Sequence, residues 1–411
     1  MDRRANGPHG PRPASGGKLP DRGVEGGERE VRGLPDEHWT IHERRAESRS
    51  DGTGMHMTGS PEAAAPRTSD RQTSGPGESE PEEVLLEQVK ALMLRLAAGQ
   101  RFERLGAIVQ EHLFTGGKRL RARLALDAVR SLGGDPEMGV AWAAACELLH
   151  NATLVHDDLQ DSDPIRRGHF TVWMRHGRPQ AINAGDLLLM LPFVAIEHVP
   201  ADDGVRWHLA RAVARRAEET VRGQSLEMSL LSGGQWDWEA YAEAARGKTS
   251  ALMTLPVHGA ALLCERSPER SQQLSDAFRD VGLLFQIQDD VVDLFGDKGR
   301  GERGGDLKEG RVSALVAAHL EREPNDTAWL VATLSRPREE TTDRDIEEVA
   351  QRFERAGTLD AVLARIDQLQ AGTREALADE PSILEVAERL MKLSLRPIDH
   401  LMQARNRPEE S

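Results

Sequence analysis

Apolar and polar positions alternate with a helical period from about residue 81 to the end of this chain. In the first such segment Leu85, Val89, Leu92 and Met93 recur three or four positions apart, which places them on one face of a helix. Breaks containing glycine or proline separate the later helix-like segments, at 116–117, 133–136, 177–179 and 233–234. The pattern predicts an all-α fold, with one large helical bundle over residues 81–411 around a deep apolar cavity.

Residues 1–80 differ from the rest of the chain in composition. They are rich in Gly, Pro, Arg, Ser and Glu and lack a helical apolar period, so they bury too little surface to offset the entropy lost on folding. We predict a disordered, low-complexity N-terminal extension. An alternative is that translation begins at Met55 or Met57, so that residues 1–54 are not translated. The intact mass of natively expressed protein distinguishes the two.

Two aspartate-rich stretches each close an apolar, helix-like run. The first reads DDLQD at residues 157–161, and the second reads DDVVD at residues 289–293. Positions one and four apart lie within roughly 100° on a helix, so each aspartate trio is expected to face one way. A single cluster of this kind is more often a solvated surface, whereas two copies favour a bound cation. The predicted metal ligands are Asp157, Asp158, Asp161, Asp289, Asp290 and Asp293.

Magnesium is the cation that these carboxylates suit best. It takes oxygen ligands, keeps several waters and commonly bridges protein carboxylates to substrate phosphates. An EF-hand is excluded, because the residues after Asp289 lack its alternating ligands, its glycine and its closing glutamate. The two stretches therefore predict a phosphate-bearing substrate held through magnesium between two helices.

Cationic residues beside glycines supply the complementary charge. The segment GGKRLR at residues 116–121 opens a helix, where backbone amides, Lys118 and Arg121 favour phosphate oxygens. Arg166 and Arg167 follow the first aspartate stretch, and further cations lie in 247–249 and 298–311. Solvated surface cations are the alternative for each segment taken alone. Together they predict a site for two diphosphates that combines metal and cations.

The overall charge and the cysteines limit the compartment and the partners. A formal net charge of −15 in 411 residues argues against a nucleic-acid surface. Cys146 and Cys264 lie in apolar context without metal-ligand spacing, which is typical of reduced thiols. No apolar run approaches the ~20 residues that span a bilayer, and the first residues lack the apolar core of a secretion signal. We predict a cytoplasmic protein without a transmembrane segment.

The motifs in their order resemble the trans-polyprenyl diphosphate synthases from about Leu85 to Leu320. The resemblance rests on GGKRLR, the first aspartate stretch with its trailing Arg-Arg-Gly, NAGD at residues 183–186, and FQIQDD at 285–290 running into the second stretch. It implies the type I isoprenoid synthase fold, a homodimer, and a Mg²⁺-dependent prenyltransferase. Such an enzyme condenses isopentenyl diphosphate with an allylic diphosphate (dimethylallyl, geranyl or farnesyl diphosphate).

The same resemblance implies a role for individual residues. Three Mg²⁺ ions would be ligated from Asp157, Asp161 and Asp289, with the other three aspartates supporting. Cations on the allylic diphosphate would be Arg166, Lys248 and Arg303 or Arg311. Thr249 and Gln286 would line the carbocation. The isopentenyl diphosphate would be held by Lys118, Arg121, His150 and Arg167. His156, next to the first stretch, is expected to be structural.

The chain departs from the family pattern at three positions. Gly301-Glu302-Arg303 stands where Gly-Lys is frequent, Arg311 stands where the family often has a final lysine, and Glu227 replaces an aspartate. Each change keeps a charged side chain near the motif but alters its reach.

Product length is expected to depend on the residues four and five positions before Asp157. Thr153 and Ala152 are small, and packed interiors admit little extra volume, so aromatic residues here would close the cavity. We predict an all-trans product of geranylgeranyl length or longer, with farnesyl diphosphate as the alternative. Two further alternatives are a class I terpene cyclase, which normally carries a different second metal site, and a non-catalytic partner subunit, which would be expected to lose one aspartate motif.

Overall fold

The computed structural model describes residues 79–99, 104–296 and 303–405, with side chains described from residue 82 onward. Contacts divide the chain into two units, Met1–Gln72 and Thr73–Ser411, and the described residues belong to the second. The first helix begins at Ser79, close to the predicted boundary at residue 81. The predicted extension over residues 1–80 lies almost entirely outside the described residues, as do Met55 and Met57.

Helices make up nearly all of the described chain, and the all-α prediction is confirmed. The α-helices are α1 Ser79–Ala97, α2 Arg104–Phe114, α3 Leu120–Ser131, α4 Val140–Gln160, α5 Val172–His176, α6 Arg178–Ile196, α7 Asp203–Gly233, α8 Trp238–Ala245, α9 Ala251–Leu263, α10 Pro268–Asp276, α11 Arg279–Phe295, α12 Gly305–Lys308, α13 Ala314–Arg322, α14 Thr327–Leu334, α15 Asp343–Arg355, α16 Thr358–Ala376, α17 Pro381–Leu395 and α18 Asp399–Arg405. Short 3₁₀ turns occupy Pro136–Gly139, Pro324–Asp326, Arg338–Glu340 and Arg396–Ile398, and a π-helical segment occupies Arg246–Ser250.

A two-stranded antiparallel hairpin interrupts the helices directly after α4. Strand β1, Ile165–Arg166, pairs with β2, His169–Phe170, and Arg166 lies opposite His169. Arg167 at the turn has a φ of 52°, in the left-handed region that non-glycine residues rarely adopt, and Gly168 beside it has a φ of 78°. The hairpin therefore carries two adjacent arginines on a tight turn at the end of α4.

Helix α4 is the central element of the bundle. It packs against α1, α3, α6 and α9, and its first half is alanine-rich, which lets neighbouring helices approach closely. Trp142 is fully buried and donates its indole N–H to the carbonyl of Pro256 at 3.0 Å. Its ring lies against Gly259, where an added Cβ would be 2.0 Å from the ring. The apolar first half of α4 thus anchors the helix whose polar end carries the first aspartate stretch.

Helix α7, with 31 residues, is the longest described helix. Asp202 caps its start by accepting a hydrogen bond from the Val205 amide at 2.9 Å, and Gly234 ends it with a φ of 69°. Its middle faces α9 and the π-helical segment. Helix α7 is therefore long enough to contribute residues to more than one site.

The sequence predicted that no apolar run would reach membrane-spanning length, and helix α6 is an exception. Its 19 residues qualify by length and composition, and 44% of the most apolar window is buried inside the protein. It packs against α4, yet Ile182, Met190 and Val194 remain exposed. Trp207, Val221 and Met228 are exposed on α7, which packs beside it. These two helices together form an apolar face that the described residues leave uncovered.

Candidate active site

A cavity of about 430 Å³ lies between α4, α6, α7 and the π-helical segment that leads into α9. The charged and polar side chains of its lining include Asp157, Gln160, Gln224 and Lys248, and the lining also contains apolar side chains. The lining consists of Arg121, Leu149, His150, Thr153, Leu154, His156, Asp157, Gln160, Leu189, Ala217, Thr220, Val221, Gln224, Ser225, Met228, Lys248, Thr249 and Leu252. Such a cavity suits a ligand with a charged end and a hydrocarbon body.

The first aspartate trio does not act as one face. Asp157 lines the cavity, whereas Asp158 is buried and accepts a hydrogen bond from Arg166 Nε at 2.5 Å. Asp161, the C-cap of α4, accepts from Arg311 Nη2 at 2.8 Å. The expectation that all three carboxylates point one way was wrong, because position 158 lies about 100° around the helix from position 157 and meets the β-hairpin.

Burial raises the pKa values of Asp157 and Asp158 in this trio. Desolvation raises the pKa of Asp157, although Lys248 opposes it. Desolvation also raises the pKa of Asp158 to about 6, against the lowering effect of Arg166. Its second oxygen, Oδ2, is buried without a hydrogen-bond partner among the described residues. The trio therefore carries unsatisfied negative potential that additional cations would relieve.

The second trio divides in the same way. Asp290 accepts hydrogen bonds from the Tyr241 hydroxyl at 2.8 Å, the Ala314 amide at 2.7 Å and Gln286 Nε2 at 2.9 Å. Burial raises the pKa values of Asp290 and of its neighbour Asp306. Because its oxygens are occupied by protein donors, Asp290 ties α11 to α8 and α13.

Asp293 and Asp289 have different surroundings. Asp293 accepts from the Gly305 amide at 2.9 Å and the Asp306 amide at 3.2 Å, which fastens the start of α12 onto α11. Asp289 is exposed to solvent. Each trio therefore divides between a carboxylate that reaches the cavity or the solvent and one that binds a structural neighbour.

The donor set fits a hard divalent cation, but it is not a preformed cage. In the described ranges, no group of three His, Cys, Asp or Glu side chains converges closely enough to hold an ion alone. Magnesium needs no such cage, because it binds through one or two carboxylates plus waters and substrate phosphates. The all-oxygen ligands, the accessible Asp157 and the orphaned oxygen of Asp158 are consistent with that mode.

Arg311 and Lys248 bring positive charge to the acidic groups, whereas Arg303 does not. Arg311 binds Asp161 and also donates from Nε to Glu309 at 2.8 Å. Burial alone lowers the pKa of Arg311, but Asp161 and Glu309 raise it overall. Lys248 forms a short ion pair with Glu227. Arg303 instead donates to the Leu294 carbonyl at 2.7 Å and pairs with Glu347 at 2.8 Å, away from the cavity lining.

The π-helical segment positions Lys248 and Thr249 through close backbone contacts. An added Cβ at Gly223 of α7 would lie 2.2 Å from the Lys248 nitrogen, and one at Gly282 of α11 would lie 2.4 Å from Ser250 Cα. Only glycine permits both approaches. Thr249 donates from Oγ1 to Gln286 Oε1 at 2.9 Å, which extends the hydrogen-bond chain that reaches Asp290. A π segment at this point is typical of a functional site.

A second cationic cluster lies beside the first. Arg121 is half-buried and lines the cavity next to His150, and its buried Nε has no partner in the described part of the chain. The pKa of His150 lies well below its ordinary value because of burial and nearby Arg121 and Arg167. Arg167 packs on Gly117, where an added Cβ would lie 2.5 Å from its Nη1, and it donates to the Gly116 carbonyl. The glycine pair thus brings the hairpin arginine to the start of α3.

Lys118 and Arg119, in the same motif, differ in exposure. Lys118 is exposed to solvent, whereas Arg119 donates from Nη2 to the Leu113 carbonyl at 2.8 Å. Arg119 has a φ of 49° as the residue before α3. The positive group that closes this cluster toward solvent is therefore Lys118.

The two predicted floor residues lie in different places. Thr153 lines the cavity on the same face as Leu149 and Asp157, one turn to either side. Ala152 is fully buried but is absent from the lining. Sequence reasoning missed Leu149, Leu189 and Leu252, which line the cavity from three helices. Helical spacing from Asp157 identifies Leu149, whereas the other two require the packing of α6 and α9.

His156, expected to be structural, also lines the cavity. Its Nε2 lies 3.6 Å from a carboxylate oxygen of Asp186, and an added Cβ at Gly185 would lie 2.1 Å from that ring nitrogen. The NAGD motif therefore provides the space in which the His156 ring approaches α6. Gln160 accepts from Gln224 Nε2 at 2.9 Å and completes this side of the cavity.

Comparisons with known proteins agree on one family. The polyprenyl synthetase family model matches residues 103–353. A short chain isoprenyl diphosphate synthase of Methanothermobacter thermautotrophicus is 35% identical over 280 residues, covering 65% of this chain and 86% of the relative. A geranylgeranyl diphosphate synthase of Saccharolobus solfataricus is 34% identical, covering 58% and 74%. The crystal structure of geranylgeranyl pyrophosphate synthetase from Pyrococcus horikoshii matches with a TM-score of 0.67 and 26% identity, covering 76% of this chain and 99% of that one.

Proposed function

The chain belongs to the polyprenyl synthetase family, and from that premise we propose that it condenses isopentenyl diphosphate with an allylic diphosphate, head to tail and in trans geometry. The product proposed is an all-trans prenyl diphosphate of geranylgeranyl length or longer. The observation that carries the proposal is the apolar cavity entered past Asp157 and Lys248, with a second cationic cluster beside it at Arg121. That arrangement suits two diphosphates and one hydrocarbon chain.

The family is known to use Mg²⁺, and the proposed ligands are Asp157, which lines the cavity, and the solvent-exposed Asp161 and Asp289. Asp157, Asp161 and Asp289 would hold three ions together with the allylic diphosphate. Asp158, Asp290 and Asp293 would support them by fixing the β-hairpin, α11 and α12. Bound magnesium would supply Lewis-acid stabilisation of the departing pyrophosphate.

The side chains of the chain itself would stabilise charge as the allylic carbon–oxygen bond breaks. Lys248 and Arg311, at present paired with Glu227 and Asp161, would turn toward the diphosphate oxygens, with Arg166 beside them. Arg303 is omitted from this role because it is engaged with Glu347.

Around the hydrocarbon, polar oxygens would face the developing cation. Thr249 donates its hydroxyl hydrogen to Gln286, which leaves the threonine oxygen lone pairs free to orient toward positive charge. The isopentenyl double bond then attacks the allylic carbon, which leaves the positive charge on the tertiary isopentenyl carbon. Loss of a proton from the adjacent carbon, most simply to a pyrophosphate oxygen, forms the new double bond. No protein nucleophile is required.

The second diphosphate would bind at the cluster beside the cavity. The Nε of Arg121 is buried and has no hydrogen-bond partner among the described residues, so an anion there would satisfy both its charge and its hydrogen bond. Arg167 and Lys118 would complete the site from the hairpin and the glycine motif. His150, neutral because of its lowered pKa, would contribute one N–H.

We also propose a homodimer formed through α6 and α7. Half of the twelve large apolar residues that are exposed in the described chain lie on these helices: Ile182, Met190, Val194, Trp207, Val221 and Met228. Val221 and Met228 also line the catalytic cavity, so a second copy over this face would close that wall. The same pairing accounts for the apolar character of α6 in a protein that we place in the cytoplasm.

The test is incubation of the full chain with isopentenyl diphosphate, Mg²⁺ and each of dimethylallyl, geranyl and farnesyl diphosphate, followed by chromatography of the dephosphorylated products. Elongated all-trans alcohols that disappear with EDTA are expected, at C20 or above. Asp157→Asn should lower turnover by about 100-fold or more, while Asp127→Asn, on α3 outside the cavity, should not.

Other products would assign the chain differently. A product ending at C15 would make it a farnesyl diphosphate synthase. Cyclic hydrocarbon would identify a terpene cyclase, and absence of elongation from every primer would favour a non-catalytic partner subunit.

A further inference from the structure

A second cavity, of about 540 Å³, lies against the first half of α7 and the start of α10. It shares no lining residue with the catalytic cavity. Half of its ten lining residues are arginine or histidine, contributed by α7 and α9. The proposed synthase reaction makes no use of this cavity.

The cationic charge here is only partly compensated. Arg216 is buried and pairs with Glu219 at 2.7 Å and with Asp276 at 3.7 Å. Arg211 and Arg215 are exposed, one helical turn apart on α7, and neither has an ion pair or hydrogen bond within the described residues. Like charges four positions apart destabilise a helix, so two unpaired guanidinium groups on one face favour an anion between them.

His258 provides a polar atom from inside the protein. The residue is 9% exposed, and its Nδ1 is buried without a hydrogen-bond partner in the described chain. Burial, and next to it Arg216, lowers the pKa of His258 to about 4, so the ring is neutral at neutral pH and carries one N–H. A ligand oxygen that meets this atom when the ring turns toward the cavity would satisfy a polar group left unpaired among the described residues.

The remaining carboxylate of the lining does not cancel this charge. Glu269 is exposed at the start of α10, where its own backbone amide and Ser267 lower its pKa. Its negative charge is thereby directed at the helix N-terminus. Arg211 and Arg215 remain the groups that face the cavity without a counter-charge.

We propose that this cavity binds the diphosphate group of a small molecule at a site separate from catalysis. Arg211 and Arg215 bind the diphosphate oxygens, and His258 contacts the ligand from the buried side of the cavity. Two sources carry this chemistry: inorganic pyrophosphate, and the diphosphate end of a prenyl chain. Because α7 lines both cavities, Ala217 and Thr220 of the catalytic lining follow directly on the residues of the second site.

The experiment is equilibrium dialysis of the full chain in EDTA against pyrophosphate, geranyl diphosphate and orthophosphate. Removal of divalent cations suppresses metal-dependent binding at the aspartates. Arg121→Ala, present in every protein compared, removes the cationic diphosphate site proposed beside the catalytic cavity, so the remaining binding measures the second site. One saturable equivalent of a diphosphate is expected. Arg211→Ala with Arg215→Ala should weaken its binding by at least about tenfold.

A matched double variant removes the same charge elsewhere. Arg222 pairs with Glu218 on α7, and Arg344 is exposed on α15; neither lines the cavity. Arg222→Ala with Arg344→Ala should retain the binding, and so should Asp157→Asn in the catalytic cavity. His258→Gln should weaken binding. If the His258→Gln protein does not fold, the Arg211→Ala and Arg215→Ala double variant provides the test.

The ligands distinguish the two sources. Pyrophosphate and geranyl diphosphate binding equally would identify a site for the diphosphate group alone. Tighter geranyl diphosphate binding would identify a site for a prenyl diphosphate. No saturable binding in EDTA, equal binding by the Arg211/Arg215 double variant, or loss of binding in Asp157→Asn would each overturn the proposal.

Discussion

At the scale of single residues, Thr153 and Ala152 show that adjacent residues of one helix can have different surroundings. Thr153 faces the cavity, whereas Ala152 is fully buried outside the lining. Thr153→Phe should shorten the product by filling the cavity, measured by chain-length analysis of the dephosphorylated alcohols. Ala152→Phe should instead lower stability, by about 1–3 kcal/mol, because it overpacks a filled interior. Shorter products from Ala152→Phe with an unchanged melting temperature would reverse this assignment.

His112 makes stability depend on pH. Burial, followed by Arg167 and Arg166, lowers its pKa from 6.5 to about 4. The unfolded state therefore binds the proton first, and this residue's contribution to the free energy of unfolding falls as pH drops from 6.5 to 4. The full difference is on the order of 3 kcal/mol.

The measurement for His112 is urea unfolding between pH 7 and 4. His112→Gln should lose less stability than the wild type across this range, while His169→Gln, at an exposed histidine on β2, should follow the wild type. Parallel curves for wild type and His112→Gln would contradict the role assigned to burial.

At the scale of elements, the π-helical segment depends on glycine contacts from both sides. Gly223→Ala would place Cβ 2.2 Å from the Lys248 nitrogen, so the segment must shift. We expect turnover to fall by about tenfold or more and stability to fall by about 1–3 kcal/mol. Steady-state kinetics and thermal unfolding measure the two effects.

Gly233 supplies the control for Gly223. An added Cβ there meets its nearest neighbour, Gln235 Oε1, at 3.6 Å, so Gly233→Ala should keep its activity and lose no stability. Equal behaviour of the two alanine variants would mean that α7 does not position Lys248.

The sequence predicted the elements better than the orientation of side chains upon them. Apolar periodicity located α4 and α11, and repetition of the aspartate stretch marked their ends as important. It did not separate Asp157 from Asp158, because that division depends on the hairpin arginine that approaches from outside the helix. It also did not predict the ion pair of Arg303 with Glu347, because Glu347 lies on α15 and is distant in sequence.

The sequence also did not predict which buried residues line the cavity. Leu189 and Leu252 have no pattern that distinguishes them from other buried leucines, and only the packing of α6 and α9 brings them to the cavity. The π-helical segment has the composition of a loop, with Gly247 as its second residue, and its geometry depends on Gly223 and Gly282 of neighbouring helices. Glycine spacing alone does not reveal such contacts.

At the scale of the whole molecule, the proposed dimer through the apolar face of α6 and α7 would link assembly to catalysis. Its exposed residues include Val221 and Met228, which also line the cavity, so one surface serves both purposes. Isolated subunits would leave this wall open to water. Assembly is therefore expected to affect product length as well as stability.

Met190→Glu tests this connection without touching the cavity lining. Met190 is 56% exposed on α6, and a carboxylate placed in an apolar interface is costly to bury. Light scattering should give the wild type twice the 45.3 kDa mass of the chain and the variant that mass alone. Leu393→Glu, at an apolar residue 47% exposed on α17, should remain dimeric. The monomeric variant should also release shorter products, because water entering at Val221 and Met228 opposes extension of the hydrocarbon chain. A monomeric wild type, or an unchanged dimer in Met190→Glu, would show that α6 does not form the interface.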